Sequence, residues 1–461
     1  MGAKITKIGV TNDKISGRGG LALLLRYVEK TQLYDLISGV FIPKIAVQSK
    51  GLQLQQFLKQ IFACFFDGTD MSMAGFDAKK NDQGYSLVLE NKVSQMASSH
   101  QMKRFFAKLS IIPNNLHRKI LHELFIWRLK MDKPKIIILG IDTMVMDNDT
   151  SKKKEGCEPT YKKKKGFQPL HICWGSYLID VLFRKGSAHS NHGTDYIDCV
   201  TDIVKLIRTK YSQDVPIIFC SDSGFCDQKA FENFEDKLKI HYITTGKIYD
   251  DVKDYVEALP VADLSEFGKN KAIWKFAEFG NKLKSWKRFR RCIFTKLHLD
   301  QKGQYLLEIG KPDSIIYTNI GMCKEADDKL LAVGGQKYFE PEFIIAQSHA
   351  RGADELIHRS IKELATKEQL PFKSFGMNRA YYYLLVITHF MFETYKRDVT
   401  VDILPVTAYP NTFRRKMIDF AVKITSRSRY IILNVTKTIH ATIKIDQLWE
   451  KCQSPPVIQL A

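Results

Sequence analysis

The chain has 461 residues, 44% apolar and 11% aromatic, with 70 Lys and Arg against 50 Asp and Glu for a formal charge of +20. That length exceeds what one hydrophobic core fills, so about two to four units are expected, and the composition excludes a disordered or fibrous chain. A positive excess of this size suits a polyanion, nucleic acid first, because each neutralised phosphate releases condensed counterions; an anionic membrane surface or a merely soluble basic protein is the alternative.

Nine scattered cysteines, none spaced C-x2-C, exclude a disulfide framework and a zinc ribbon and fit a reducing cytosol. The first twenty residues lack an apolar signal-peptide core. The longest uncharged run, AYYYLLVITHFMF at 380–392, is too short to span a bilayer, so neither secretion nor membrane crossing is expected.

Residues 19–38 and 52–66 repeat apolar side chains at three and four spacing, and 95–129 reads as two more helices broken at Pro113. The first 130 residues are thus predicted to be α-helical. From 133 the pattern changes: 133–142 is a β-branched run ended by Gly140 and Asp142, and 166–175 and 177–187 are further strands of an antiparallel meander. A helix over 194–210, a strand over 216–222, a helix over 227–238 and a strand over 240–246 follow. This βββαβαβ order is that of the ribonuclease H-like fold, a mixed five-stranded sheet.

Residues 250–340 alternate apolar with polar or basic side chains in IWKFAEF, RFRRCIFTKLHL, GQYLLEIG and DSIIYTNI, which predicts a β-rich insertion. Helical periodicity returns at 353–365, 377–396 and 409–425.

Asp142 and Asp222 each end an apolar strand, and in a βββαβαβ sheet the first and fourth strands are neighbours. Their carboxylates then face each other across one ladder spacing of roughly 4.8 Å. Two carboxylates that close repel unless a cation binds between them, and Mg²⁺ prefers such a pair together with water and phosphate oxygens. Asp222 then ends its strand to aim an oxygen at the metal, with Gly224 letting the chain turn away; the alternative is that each Asp is a turn or helix N-cap residue. A third acid is expected from a helix on the same edge. Glu355 has Arg351 four residues before it and Lys362 seven after, all on one helical face. Ala353, Leu356, Ile357, Ile361 and Leu364 fall largely opposite, and Gly352 suggests that the helix begins just after Arg351. The alternative is a solvated, salt-bridged face. His171, His189 and His192 lack zinc spacing and are assigned no role.

These residues resemble the bacterial insertion-sequence transposases of the DDE type, in the branch with a Tyr-x2-Arg-x3-Glu-x6-Lys signature. Arg351, Glu355 and Lys362 match that spacing, and Ser348, followed by His349, holds the Tyr position. ILGIDTMVMD, CSDSGF and RGADELIHRSIKEL are similar to the three acidic motifs, and a β-rich insertion between the second and third acids fits the same pattern. The resemblance implies an α/β chain: a ribonuclease H-like mixed sheet with a β-rich insertion, an α-helical N-terminal domain and a helical C-terminal region. It divides the chain into a DNA-binding region at 1–130, a first core part at 131–248, the insertion at 249–340, a second core part at 341–400, and a C-terminal region at 401–461 suited to dimerisation.

The same resemblance implies that Asp142, Asp222 and Glu355 bind two Mg²⁺ ions, replaceable by Mn²⁺, and catalyse in-line phosphodiester displacement on DNA. Arg351 and Lys362 then hold scissile-strand phosphates, with Ser348 at the position of a further contact. The lysine runs 151–155 and 161–166, including Lys163 and Lys164, are read as DNA-backbone contacts against an alternative of solubilising charge. In KLKSWKRFRR, at 282–291, Trp286 is the candidate to stack a flipped base beside Arg288, against the alternative of a buried structural Trp. The partners implied are double-stranded DNA, as terminal inverted repeats and target, and a second copy of the chain on paired ends. The location implied is the bacterial cytoplasm, at the nucleoid. A structure-selective nuclease of the same fold and a catalytically inactive DNA-binding protein are the competing readings.

Overall fold

The computed structural model describes residues 3–45, 51–150, 153–190, 192–260, 263–269, 271–299, 313–350, 352–366, 368–428 and 430–459. The chain gathers into two compact units. One comprises Met1–Ile120, Lys153–Glu155 and Ser360–Leu460; the other comprises Leu121–Lys152 and Gly156–Arg359.

The second unit is built on a mixed sheet whose strands, labelled along the chain, are β1 (Ile137–Thr143), β2 (Leu170–Trp174), β3 (Tyr177–Leu182), β4 (Ile217–Ser221), β5 (His241–Gly246), β6 (Ser265–Lys269), β7 (Ala272–Asn281), β8 (Arg290–Leu299) and β9 (Ser314–Thr318). Their spatial order is β3-β2-β1-β4-β5-β9-β8-β7-β6. The pairs β1–β2 and β2–β3 are antiparallel, while β1–β4 and β4–β5 are parallel. The first five strands, in the order 3-2-1-4-5 with only β2 reversed, make the ribonuclease H-like sheet that the element order predicts. Every residue of β4 is buried, as a central parallel strand covered on both faces requires. The helix Asp195–Lys210 buries Cys199, Val200, Ile203, Val204 and Ile207, a stripe at helical spacing.

The insertion strands extend this sheet through β9, which pairs antiparallel with β5. The helix Pro341–Ala350 lays Ile344 and Ile345 into a core with Ile218, Ile243, Ile293 and Ile316. Residues 250–340 are less uniformly β than their alternation suggests, since they include the helices Asp250–Glu257 and Lys324–Ala332. GQYLLEIG lies outside the described residues. Gly140, read as ending the first strand, sits inside it; β1 continues through Asp142 to Thr143.

Helices dominate the other unit: Gly20–Lys30, Leu33–Phe41, Leu54–Asp67 and Ser99–Leu109, with Phe375–Tyr395 among them. Every residue from Ala380 to Tyr395 is buried, which explains the long apolar run as a helix enclosed by protein. Among the described residues no helix is long and apolar enough to cross a membrane. The Arg414 guanidinium donates to the carbonyls of Phe65, Phe66, Glu363 and Leu364, closing the carboxyl ends of two helices with one side chain. Residues 409–425 are not one helix. A short helical stretch ends at Ile418 and Val422–Arg427 is a strand, paired with Lys14–Ser16 and Tyr430–Asn434.

Candidate active site

Asp142 is the next-to-last residue of β1, half-buried and in register with His171 of β2. Its Oδ1 accepts from the Thr143 amide at 2.6 Å, and its Oδ2 lies 3.8 Å from His358 Nδ1. Asp222 follows β4 directly. Its Oδ1 accepts from the Gly224 amide at 2.8 Å and caps the 3-10 turn Ser223–Phe225, so the capping role weighed from the sequence is real and is performed by one oxygen. That turn is braced by the Tyr196 hydroxyl, which donates to the Phe225 carbonyl at 3.0 Å.

Gly224 is favoured by space rather than by backbone freedom. A Cβ there would sit 3.0 Å from Asp222 Oδ1 and 3.1 Å from Ser190 Oγ. Ser190 Oγ is in turn 3.5 Å from Thr143 Oγ1, so one serine links the ends of β1 and β4.

Glu355 is exposed on the helix Gly352–Ala365. One turn later on that helix, His358 packs its ring 5.3 Å from that of His171, with His171 Nδ1 3.3 Å from His358 Nε2. Ile357, Ile361 and Leu364 are buried as the sequence stripe requires, whereas Leu356 is exposed.

Between β1 and β2 the chain forms a small hairpin from Glu158–Pro159 and Lys165–Phe167, closed by the Thr160 amide and hydroxyl, which both donate to the Lys164 carbonyl. Tyr161 sits at its tip. Partial burial, followed by the charges of Asp142, Asp222 and Glu355, pushes the Tyr161 phenol above its ordinary pKa. Three acids separated by 80 and 133 positions in sequence therefore act on one phenol. They share a field rather than a coordination sphere: among the described residues no group of three or more His, Cys, Asp or Glu is close enough to hold a metal ion as the side chains stand. The donor set, carboxylate oxygens at the ends of neighbouring strands, suits a hard divalent cation rather than zinc.

The other sequence candidates are scattered. Arg351 lies outside the described residues. Ser348 is buried on the preceding helix, Pro341–Ala350, and not on the helix of Glu355; its neighbour His349 packs on Trp274 at 4.9 Å. Lys362 belongs to the other compact unit, where it pairs with Glu368 at 2.9 Å. Lys163 is exposed at the hairpin tip with φ of 59°, and Lys164 pairs with Asp147 at 2.8 Å. Trp286 is only 6% exposed, edge-on to Phe231 and Tyr317 with Arg290 over its ring, the packing of a structural Trp. Arg288 is held by Asp236 at 2.8 and 3.1 Å. Sequence reasoning missed Tyr161 and His358, and it passed over His171.

A ribonuclease H-like sheet with acids at the carboxyl ends of its first and fourth strands, and a third on a later helix, defines the class of metal-assisted phosphodiester-transferring enzymes. The sequence pattern of the family "Transposase DDE domain group 1" matches residues 3–454, and the chain belongs to that family of DNA transposases. Enzymes of this family work with divalent metal ions. No curated protein is similar enough to match the chain. A piggyBac transposase, solved as a synaptic complex with hairpin DNA, aligns over 88% of this chain and 81% of its own at 12% identity and a TM-score of 0.42.

Proposed function

We propose that this transposase cuts and joins DNA at the inverted-repeat ends of a bacterial insertion sequence, with Asp142, Asp222 and Glu355 as its metal-binding acids. The observation that carries the reading is that these three carboxylates together raise the Tyr161 phenol through their charge, after its partial burial. When bound, two Mg²⁺ ions, or Mn²⁺ in their place, supply activation of the attacking oxygen and stabilisation of the leaving oxygen. The protein supplies position. β1 and β4 fix two of the acids against a rigid sheet, and the Asp222 turn is locked by the Gly224 amide and the Tyr196 hydroxyl. In each step a water or DNA 3′-hydroxyl oxygen forms a bond to phosphorus as the bond to the leaving 3′-oxygen breaks.

Arg351, Lys362 and Ser348 serve as contacts to DNA phosphates, as do Lys163 and Lys164, which stand on the same hairpin as Tyr161. Arg288 joins them by exchanging its Asp236 partner for phosphate, and Trp286 stacks a base if its pocket opens. The helical N-terminal region recognises the ends, and two copies act together on paired ends in the bacterial cytoplasm, at the nucleoid.

The test is cleavage and strand transfer on the DNA flanking the gene. Mg²⁺-dependent nicking at the repeat ends followed by joining to a second duplex supports the reading. Hydrolysis without joining, or cleavage unaffected by chelation of the metal, overturns it.

A further inference from the structure

We propose that His171 and His358 are a positioning pair that sets the Asp142 carboxylate and ties the helix of Glu355 to it. The proposal rests on the reading of Asp142 as a metal-binding acid.

His171 is 1% exposed, directly opposite Asp142 across the β1–β2 ladder. Its Nδ1 lies 3.3 Å from His358 Nε2, and the far nitrogen of that ring, Nδ1, faces Asp142 Oδ2 at 3.8 Å. With both rings neutral, the chain of contacts has one favourable proton arrangement. Two neutral imidazoles bond only if one nitrogen donates and the other accepts. Were His358 Nε2 the donor, its Nδ1 would turn a lone pair toward a carboxylate. Electrostatics therefore assigns the proton to His358 Nδ1, facing Asp142, and makes His358 Nε2 the acceptor of the His171 Nδ1–H.

Two consequences follow. With Oδ1 bonded by the Thr143 amide and Oδ2 faced by the His358 imidazole at 3.8 Å, an electrostatic contact longer than a hydrogen bond, the Asp142 carboxylate is oriented from both ends. His358 also stands three residues after Glu355, so the His171 contact ties the strand-borne acid to the helix-borne one. Partners of this kind, behind the ligands, typically change metal affinity or activity by 10–100-fold when removed.

The experiment is a Mn²⁺ titration of the full chain followed by electron paramagnetic resonance. It compares wild type with Asp142→Ala, His171→Ala, His358→Ala and His358→Asn, and thermal melting in EDTA serves as the folding control. His171→Ala and His358→Ala are expected to weaken Mn²⁺ binding about tenfold or more. His358→Asn, whose amide N–H takes the place of Nδ1–H, should recover most of that loss. Wild-type affinity in His358→Ala overturns the pairing, and so does a loss that Asn fails to recover and that follows a lowered melting point. Mn²⁺ binding that Asp142→Ala leaves unchanged sinks the metal-site reading itself, which separates the two failures.

Discussion

Gly140 pairs with Cys220 where β1 and β4 run parallel, and Asp142 and Asp222 each stand two residues further on, Asp142 within β1 and Asp222 just past the end of β4 in extended backbone. Side chains two apart on a strand share a face, so in-register parallel strands bring both carboxylates to one side of the sheet at its carboxyl edge. Ser190 sits against both strand ends, near Thr143 on one and Gly224 on the other. The pair is a product of topology, and neither Asp has a local sequence signal that distinguishes it from an ordinary turn residue.

Tyr161 reports on this field. Burial and then the charges of Asp142, Asp222 and Glu355 disfavour the phenolate and push the phenol above its ordinary pKa. A cation among the carboxylates opposes those charges, so saturating Mg²⁺ should lower the Tyr161 pKa relative to EDTA, and Asp222→Asn in EDTA should lower it too. The portion due to burial should persist in both. The tyrosinate absorbance difference between wild type and Tyr161→Phe isolates this group among 19 tyrosines. A titration unmoved by Mg²⁺ would separate the phenol from the metal site.

Gly224→Ala places a methyl 3.0 Å from Asp222 Oδ1 and 3.1 Å from Ser190 Oγ, tighter than most Cβ contacts, so a neighbour must give by a few tenths of an ångström. Asp222 must rotate or its turn must shift. A displacement of about 1 Å in a reacting arrangement costs on the order of 100-fold in rate. The smaller shift here should lower cleavage by roughly tenfold, with DNA binding and melting temperature little changed. Wild-type turnover in this variant would show that Asp222 tolerates the movement.

Acid should weaken the helical unit through its buried histidines. Burial lowers His117 from 6.5 to about 4, and it lowers His389 to about 3. Both stay neutral in the folded unit while the unfolded chain takes up protons below about 6.5. The unfolded state therefore binds more protons in that window, and stability falls as pH drops from 6.5 toward 4. The His117 shift alone is worth roughly 3 kcal/mol when fully expressed. Denaturant melts of His117→Gln, which cannot titrate, should show a shallower acid loss than wild type; an equal slope would remove His117 from the effect.

The sheet was legible because its strands are β-branched runs and its helices keep a 3.6-residue apolar period, both local signals. The expected helix over 409–425 ran into the strand Val422–Arg427, which pairs with Lys14–Ser16 some 400 residues away and in a hairpin with Tyr430–Asn434. The remote pairing leaves no mark in a window of sequence. The alternation of buried Val422 and Ile424 with Lys423 was the available clue. The acids were legible only through topology. His171 and His358 are 187 residues apart and share no spacing, and Tyr161 lies in a lysine run that reads as a solvated loop. Trp286 was read for its basic surroundings, but Arg290, counted among those cations, turns inward to Glu235 and over the Trp ring. Charge in a sequence does not tell whether it faces solvent.

The central claim is that Asp142, Asp222 and Glu355 act together on DNA through a divalent cation. It is tested most directly by measuring Mg²⁺-dependent end cleavage and end binding side by side for Asp142→Asn, Asp222→Asn and Glu355→Gln. The account predicts cleavage lost in all three, with end affinity kept within a few-fold, because only the chemistry depends on these carboxylates. Normal cleavage in any one of them would contradict it.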